Sequence, residues 1–197
     1  MQLVGQEHPS PEAAERPRAG ILLDRDGTII VDHGYVGSIE RVELIPGAAE
    51  AIARFNEAGI PVAVLTNQAG VARGLYGIDD VDRVHAHLSS LLAEHGAHVD
   101  RYFSCPYHPA GVVDVFSRSS EDRKPRPGMA RAAAEALGLD LRASWVVGDR
   151  PEDVGLARSV GAYAIYLGTG NVTGARVWSF ASLAAAAPFI VERIEEA

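Results

Sequence analysis

Lysine and cysteine are nearly missing from this chain: its 197 residues hold one of each, Lys124 and Cys105, beside 17 arginines. A single cysteine cannot close an intrachain disulfide, so nothing here calls for an oxidising compartment, and a cytoplasmic protein is expected. No apolar run approaches the roughly 18 residues of a membrane helix. The first 19 residues, rich in Glu and Pro, also lack the apolar stretch of a signal peptide. Attachment to a membrane is not expected. Basic residues number 18 against 26 acidic ones, a net charge of −8. Sequence-independent binding of nucleic acid relies on clustered cations that displace counterions, so a nucleic-acid partner is not expected either. A small anion is not excluded, because a local pocket can oppose the field of the whole molecule.

What is present is ample apolar material, 47% of residues, enough for the core of one domain. Residues 1–19 read as a flexible N-terminal extension and residues 20–197 as a single domain, too short for a large separate lid. Short apolar runs end at Asp24 and Thr66, lie near Arg101-Tyr102-Phe103, and recur at Ser144–Val147 and Ala162–Leu167. Helical patterns fill the intervals, from Pro46 to Gly59, Asp79 to Gly96, Pro127 to Leu137, onward from Pro151, and from Ser182 to Glu196, where Pro188 is awkward. Strands alternating with helices predict an α/β fold, a Rossmann-like three-layer αβα sandwich around a mainly parallel sheet. No exposed heptad or broad apolar stripe demands a partner, so a monomer is expected.

In open parallel sheets ligands bind beyond the carboxyl ends of the strands, so chemistry should gather just after the apolar runs. Asp24 and Asp26, in Asp24-Arg25-Asp26-Gly27-Thr28, can serve as a nucleophile and a proton donor at a strand end. Asp149 follows Trp145-Val146-Val147-Gly148, with Asp153 four residues on. Asp24 and Asp149 from neighbouring strands suit a hard divalent cation, which takes one or two carboxylates plus phosphate and water. Thr66 and Asn67 offer a hydroxyl, an amide and free backbone N–H groups to phosphate oxygens. Each of these segments alone also reads as an ordinary polar turn or helix start. Lys124 departs from the pattern, because every other cation in the chain is arginine. A slim stem with a compact charge fits where a planar guanidinium fork does not.

Together, Asp24-Arg25-Asp26-Gly27-Thr28, Leu65-Thr66-Asn67, Lys124-Pro125 and Gly148-Asp149-x-x-x-Asp153 resemble the four motifs of the haloacid-dehalogenase-like phosphatases. Within that superfamily the chain resembles the small members of the histidinol-phosphatase-like group that lack a cap domain. The resemblance implies a phosphatase with Asp24 as nucleophile and Asp26 as proton donor. It further implies Mg²⁺ on Asp24, the backbone carbonyl of Asp26, and Asp149, with Asp153 in support. Thr66 and Lys124 would hold the phosphoryl group, and Asn67 and Arg123 would contact substrate. His33, in a flap after Asp26, is a further candidate for the substrate side. The implied partner is a small phosphorylated sugar, foremost a heptose 1,7-bisphosphate. Histidinol phosphate is the alternative substrate, and a nucleic-acid 3′-phosphate one of another class.

Such relatives often carry a structural zinc held by Cys-x-His and a later Cys-x-Cys. Here Cys105 stands in register, but Tyr107, Ser120 and Asp122 occupy the other places. The expectation is a loop without zinc that folds by burying Val112, Val113, Val115 and Phe116. The other histidines, His85 among them, read as surface or capping residues.

Overall fold

The computed structural model describes residues 18–168, 170, 172 and 174–196. Residues 1–17 of the expected extension lie outside them, whereas Arg18 is already tied through its backbone to Gly138 and Asp140. The strands are β1 (Ile21–Leu23), β2 (Val62–Asn67), β3 (Arg101–Cys105), β4 (Trp145–Gly148), β5 (Tyr163–Leu167) and β6 (Val177–Phe180). The helices are α1 (Ala48–Glu57), α2 (Ala69–Ala72), α3 (Ile78–Glu94), α4 (Gly128–Leu137), α5 (Pro151–Val160) and α6 (Leu183–Glu195), which runs through Pro188. Every strand pairing is parallel, in the order β3-β2-β1-β4-β5-β6.

The central strands form because both of their faces can be buried. Ile21, Leu22 and Leu23 are wholly inaccessible, and a continuous apolar run is what a strand covered on two sides needs. Ile21, Leu23, Val62, Val64 and Val147 face a core built with Ile52 and Phe55 of α1, Leu88 and Leu92 of α3, and Ile190 of α6. Leu22, Ala63, Leu65 and Val146 face the opposite core with Met129 and Ala133 of α4 and Leu156 of α5. Removing a ring as enclosed as Phe55 would cost roughly 3–5 kcal/mol.

The sheet has one strand more than the sequence pattern suggested. β6 is four residues long, sits at the sheet edge beside β5, and is only half-buried, so its apolar alternation is too brief to stand out. It contributes Trp178, 5.4 Å from Trp145 between ring centres. Among the described residues no cap domain is present: the β1–α1 and β3–α4 connections contain only a single 3₁₀ turn each, Ile39–Arg41 and Asp114–Phe116. No described helix is long and apolar enough to cross a membrane.

Two expectations need correction. Val112 and Val115 are 75% and 70% exposed, so the Cys105–Asp122 loop is not held by burying its valines. It is held by backbone bonds from Val112 and Val113 to the Ala72 carbonyl and from His108 to the Phe116 carbonyl, with Arg118 over the Tyr107 ring. His85, expected at the surface, is buried and stacks on Tyr102 at 4.6 Å, because α3 turns that face onto β3.

Candidate active site

The strand order reverses at β1 and β4, and the chain leaving those two strands carries Asp24 and Asp149. That switch point is where an open parallel sheet leaves a crevice. The Asp24 N–H donates to the Val147 carbonyl at 2.9 Å, so the strand register itself fixes this carboxylate beside β4. Gly27 follows with φ of 82°, and a β-carbon there would overlap the Asp149 carboxylate. The glycine thus serves both the turn and the close approach of the two strand ends.

Lys124 is buried between two acids, its Nζ 2.7 Å from Asp24 Oδ1 and 2.7 Å from Asp153 Oδ1. Burial would lower the basicity of the amine, but the two carboxylates outweigh it and hold its pKa above the usual lysine value. The second Asp153 oxygen accepts from the Arg150 N–H at 3.0 Å, closing the start of α5. Asn67 fixes the lysine from below: its Nδ2 donates to the Lys124 carbonyl at 3.2 Å and its Oδ1 accepts from the Lys124 N–H at 3.0 Å.

One oxygen each from Asp24, Asp149 and Asp153 lie within 4.8 Å of one another. Burial and the Asp24 charge push the Asp149 carboxyl up to about 6, and burial raises Asp153 against the pull of Lys124. Asp149 Oδ1 is buried and has no hydrogen-bond partner among the described residues. A hard divalent cation supplies what this set lacks, a positive charge coordinated by oxygen. Since both Asp153 oxygens are already engaged, Asp24 and Asp149 are the side chains with coordinating capacity. The residues therefore fit Mg²⁺.

Asp26 is gripped by a residue that the sequence reading passed over. Arg25 is completely buried, its guanidinium donating to both Asp26 oxygens at 3.1 and 3.2 Å and to the Val36 carbonyl at 2.9 Å. Burial raises the Asp26 carboxyl, and Arg25 opposes it. Gln68 adds a donor to Asp26 at 2.9 Å and another to Thr66 Oγ1 at 2.7 Å, while its own Oε1 accepts from Tyr76 at 2.7 Å. Gln68 directly follows the Leu65-Thr66-Asn67 motif, but nothing local marked Arg25 or Tyr76. Their partners are close in sequence, Asp26 and Val36 for Arg25 and Gln68 for Tyr76, but the inward turn of each side chain is set by the packing around it.

A cavity of about 660 Å³ opens over these groups. Asp24, Asp26, Thr66, Asn67, Arg123, Lys124 and Asp153 line it, joined by Tyr35, Arg73, His108 and Arg150. His33 is not among the lining residues; its ring pairs with Glu43 at 3.3 Å, whereas neighbouring Asp32 reaches Arg150 across the mouth at 2.6 Å. Cys105 is buried, with its Sγ 3.9 Å from the Tyr107 carbonyl oxygen.

A doubly wound parallel sheet with paired aspartates, a buried lysine and a cation-ready acidic cluster at its switch point defines a hydrolase that handles phosphoryl groups. The HAD-hydrolase-like family profile matches residues 122–197. The D-glycero-beta-D-manno-heptose-1,7-bisphosphate 7-phosphatase of Rhodopseudomonas palustris is 42% identical over 76% of this chain and 82% of that protein. The D-glycero-D-manno-heptose-1,7-bisphosphate 7-phosphatase of Thermosynechococcus vestitus is 42% identical over 78% of this chain and 81% of its own. Among solved structures, D,D-heptose 1,7-bisphosphate phosphatase from B. bronchiseptica, complexed with magnesium and phosphate, superposes with a TM-score of 0.79 at 32% identity, covering 88% of this chain and 98% of that one. The chain belongs to the haloacid-dehalogenase-like hydrolases and is a phosphatase.

Proposed function

We propose that this phosphatase is magnesium-dependent and removes the C7 phosphate of D-glycero-D-manno-heptose 1,7-bisphosphate through a phosphoenzyme on Asp24. The observation that carries the chemistry is Lys124 held between Asp24 and Asp153 beside the unpartnered Asp149 oxygen. The substrate rests on the names of the relatives and on the arginines Arg73, Arg123 and Arg150 lining the same cavity, which suit a second phosphate.

The free carboxylate oxygen of Asp24 attacks phosphorus, a P–O(Asp) bond forms, and the bond to the sugar oxygen breaks. Asp26, carrying a proton, delivers it to the leaving alkoxide and then takes one from the water that cleaves the aspartyl-phosphate. The ammonium of Lys124 and the hydroxyl of Thr66 neutralise and orient the equatorial oxygens, which is most of what phosphoryl transfer requires. Asn67 keeps Lys124 in place through its backbone. Asp24, the Asp26 carbonyl and Asp149 would hold Mg²⁺, and the bound ion would shield the carboxylates from the incoming phosphate charge. The Cys105–Asp122 loop would form without zinc.

A panel of heptose 1,7-bisphosphates of both anomers, histidinol phosphate and 3′-phosphorylated DNA separates the candidate substrates. The expected order puts a heptose bisphosphate first; histidinol phosphate or DNA in that place would overturn the substrate assignment. Asp24→Asn should remove turnover on every one of them, and full activity in that variant would show that Asp24 is not the nucleophile.

A further inference from the structure

We infer that Tyr76 is a positioning residue for the proton donor Asp26, acting through the Gln68 side-chain amide. The inference rests on the reading of Asp26 as the group that protonates the leaving oxygen. It starts from the direction of three hydrogen bonds. The Tyr76 hydroxyl lies 2.7 Å from Gln68 Oε1, and Gln68 Nε2 lies 2.9 Å from Asp26 Oδ2 and 2.7 Å from Thr66 Oγ1. An amide has one accepting end and one donating end, and a carboxylate only accepts. With the tyrosine hydroxyl seated on Oε1, both hydrogens of Nε2 are committed, one to Asp26 and one to Thr66. Thr66 Oγ1, having accepted from Gln68, turns its own hydrogen toward the same Asp26 oxygen, 3.5 Å away. Without the tyrosine hydroxyl the amide is free to turn over, which would set Oε1 against Asp26: acceptor against acceptor while the carboxylate is ionised, and a rival acceptor for the proton once Asp26 carries one.

The tyrosine ring has a built seat. A β-carbon at Gly37, in the flap after β1, would overlap one part of the ring, and a β-carbon at Gly70, in α2, would overlap its hydroxyl end. Neither glycine has a left-handed backbone, so the missing side chain serves space and not conformation. In α2 alanine would otherwise be the better helix former. Two separate segments thus give up a side chain to admit one ring, and its hydroxyl reaches Gln68. Burial raises the Tyr76 hydroxyl to about 12, so it remains a donor throughout the working range.

Tyr76→Phe tests this with two substrates that differ in their need for a proton. An alkoxide leaving group depends on the general acid, whereas p-nitrophenolate leaves without one. In Tyr76→Phe, kcat/KM on the best sugar phosphate should fall about tenfold, a fraction of the roughly 10²–10⁴ that a placed acid supplies, with p-nitrophenyl phosphate changed less than about twofold. The same substitution should cost nothing further in a Gln68→Ala background. An equal loss on both substrates, a wild-type rate on the sugar phosphate, or an undiminished cost without Gln68 would overturn the assignment of Tyr76 alone. Activity surviving in Asp24→Asn would overturn it together with the mechanism beneath it. Should Gln68→Ala not fold, the ratio between the two substrates decides by itself.

Discussion

The ammonium of Lys124 stands 2.7 Å from a carboxylate oxygen of Asp24, and both side chains are almost sealed from water, at 4% and 8% exposure for the residues. The chain's one lysine is thus the counter-charge of the proposed nucleophile. It is also shared with Asp153 at the same distance, which keeps it from collapsing onto Asp24 alone.

Lys124→Arg should therefore fail despite conserving charge, because the slot between Asp24 and Asp153 admits a point charge and not a planar fork. We expect kcat to drop on the order of 10²–10³, the cost of losing one preorganised electrostatic contact. Lys124→Met should also unfold more easily, by roughly 3 kcal/mol, since two acids are left without their partner. Adding Asp153→Asn should recover part of that stability and none of the rate. Denaturant titration and steady-state kinetics on the three variants check both halves.

Asp149→Asn addresses the metal. Asp149 Oδ1 has no hydrogen-bond partner among the described residues, so its loss should be felt through Mg²⁺ and little through the fold. Wild-type protein at about 100 times its Mg²⁺ dissociation constant should gain about 2.7 kcal/mol of stability. Asp149→Asn should need at least about tenfold more Mg²⁺ for the same gain, in line with the penalty for disturbing a metal site. Thermal melts across a Mg²⁺ series give the answer; coincident curves would remove Asp149 from the site.

His85 makes stability depend on pH. Burial, with a further push from Arg25, lowers its pKa to about 3, from 6.5 when unfolded. A depressed histidine means that the unfolded chain takes up a proton which the folded chain refuses. The associated stability is present above pH 6.5 and is lost as pH falls toward 3. Between pH 7.5 and 5.5 the loss should be about 1.4 kcal/mol. His85→Phe, which keeps a ring against Tyr102, should flatten the pH profile by that amount. Parallel profiles for wild type and variant would refute the effect.

Zinc should be absent from protein purified without added metal. The Cys105 thiol is buried against the Tyr107 carbonyl and raised by that burial, while the loop is secured by backbone bonds to Ala72. A thiolate is what zinc binds, and a neutral buried thiol is a poor start for a site. Elemental analysis should find less than about 0.1 zinc per chain, and a chelator should leave the melting temperature unchanged. Stoichiometric zinc would overturn this account of the loop.

Much of the fold was legible because its signals are local. A wholly apolar Ile21-Leu22-Leu23 followed by Asp24, or Pro151 opening α5, reports its own structure through burial on two faces or a fixed φ. β6 escaped because a four-residue edge strand, half in water, is defined by its neighbour β5 more than by its own pattern. The valines of the Cys105–Asp122 loop misled for the opposite reason: apolar residues suggest burial, but two of them stand in solvent around backbone bonds that no composition reveals.

The site divides along the same line. Residue type and spacing by themselves determined that Asp24, Asp26, Thr66, Lys124 and Asp149 follow strands or precede helices, and that a lone lysine among 17 arginines stands apart. Only the tertiary structure decided that Lys124 lies between Asp24 and Asp153, that Arg25 turns inward to grip Asp26, that Asn67 holds the lysine's backbone, and that His33 pairs with Glu43 outside the cavity lining. The physical reason is range. Strand ends and turns are fixed by neighbours along the chain, whereas the way Arg25 or His33 turns is set by the packing around it, and the charge of Lys124 is neutralised by Asp24, a hundred residues away, which it meets only when the sheet is assembled.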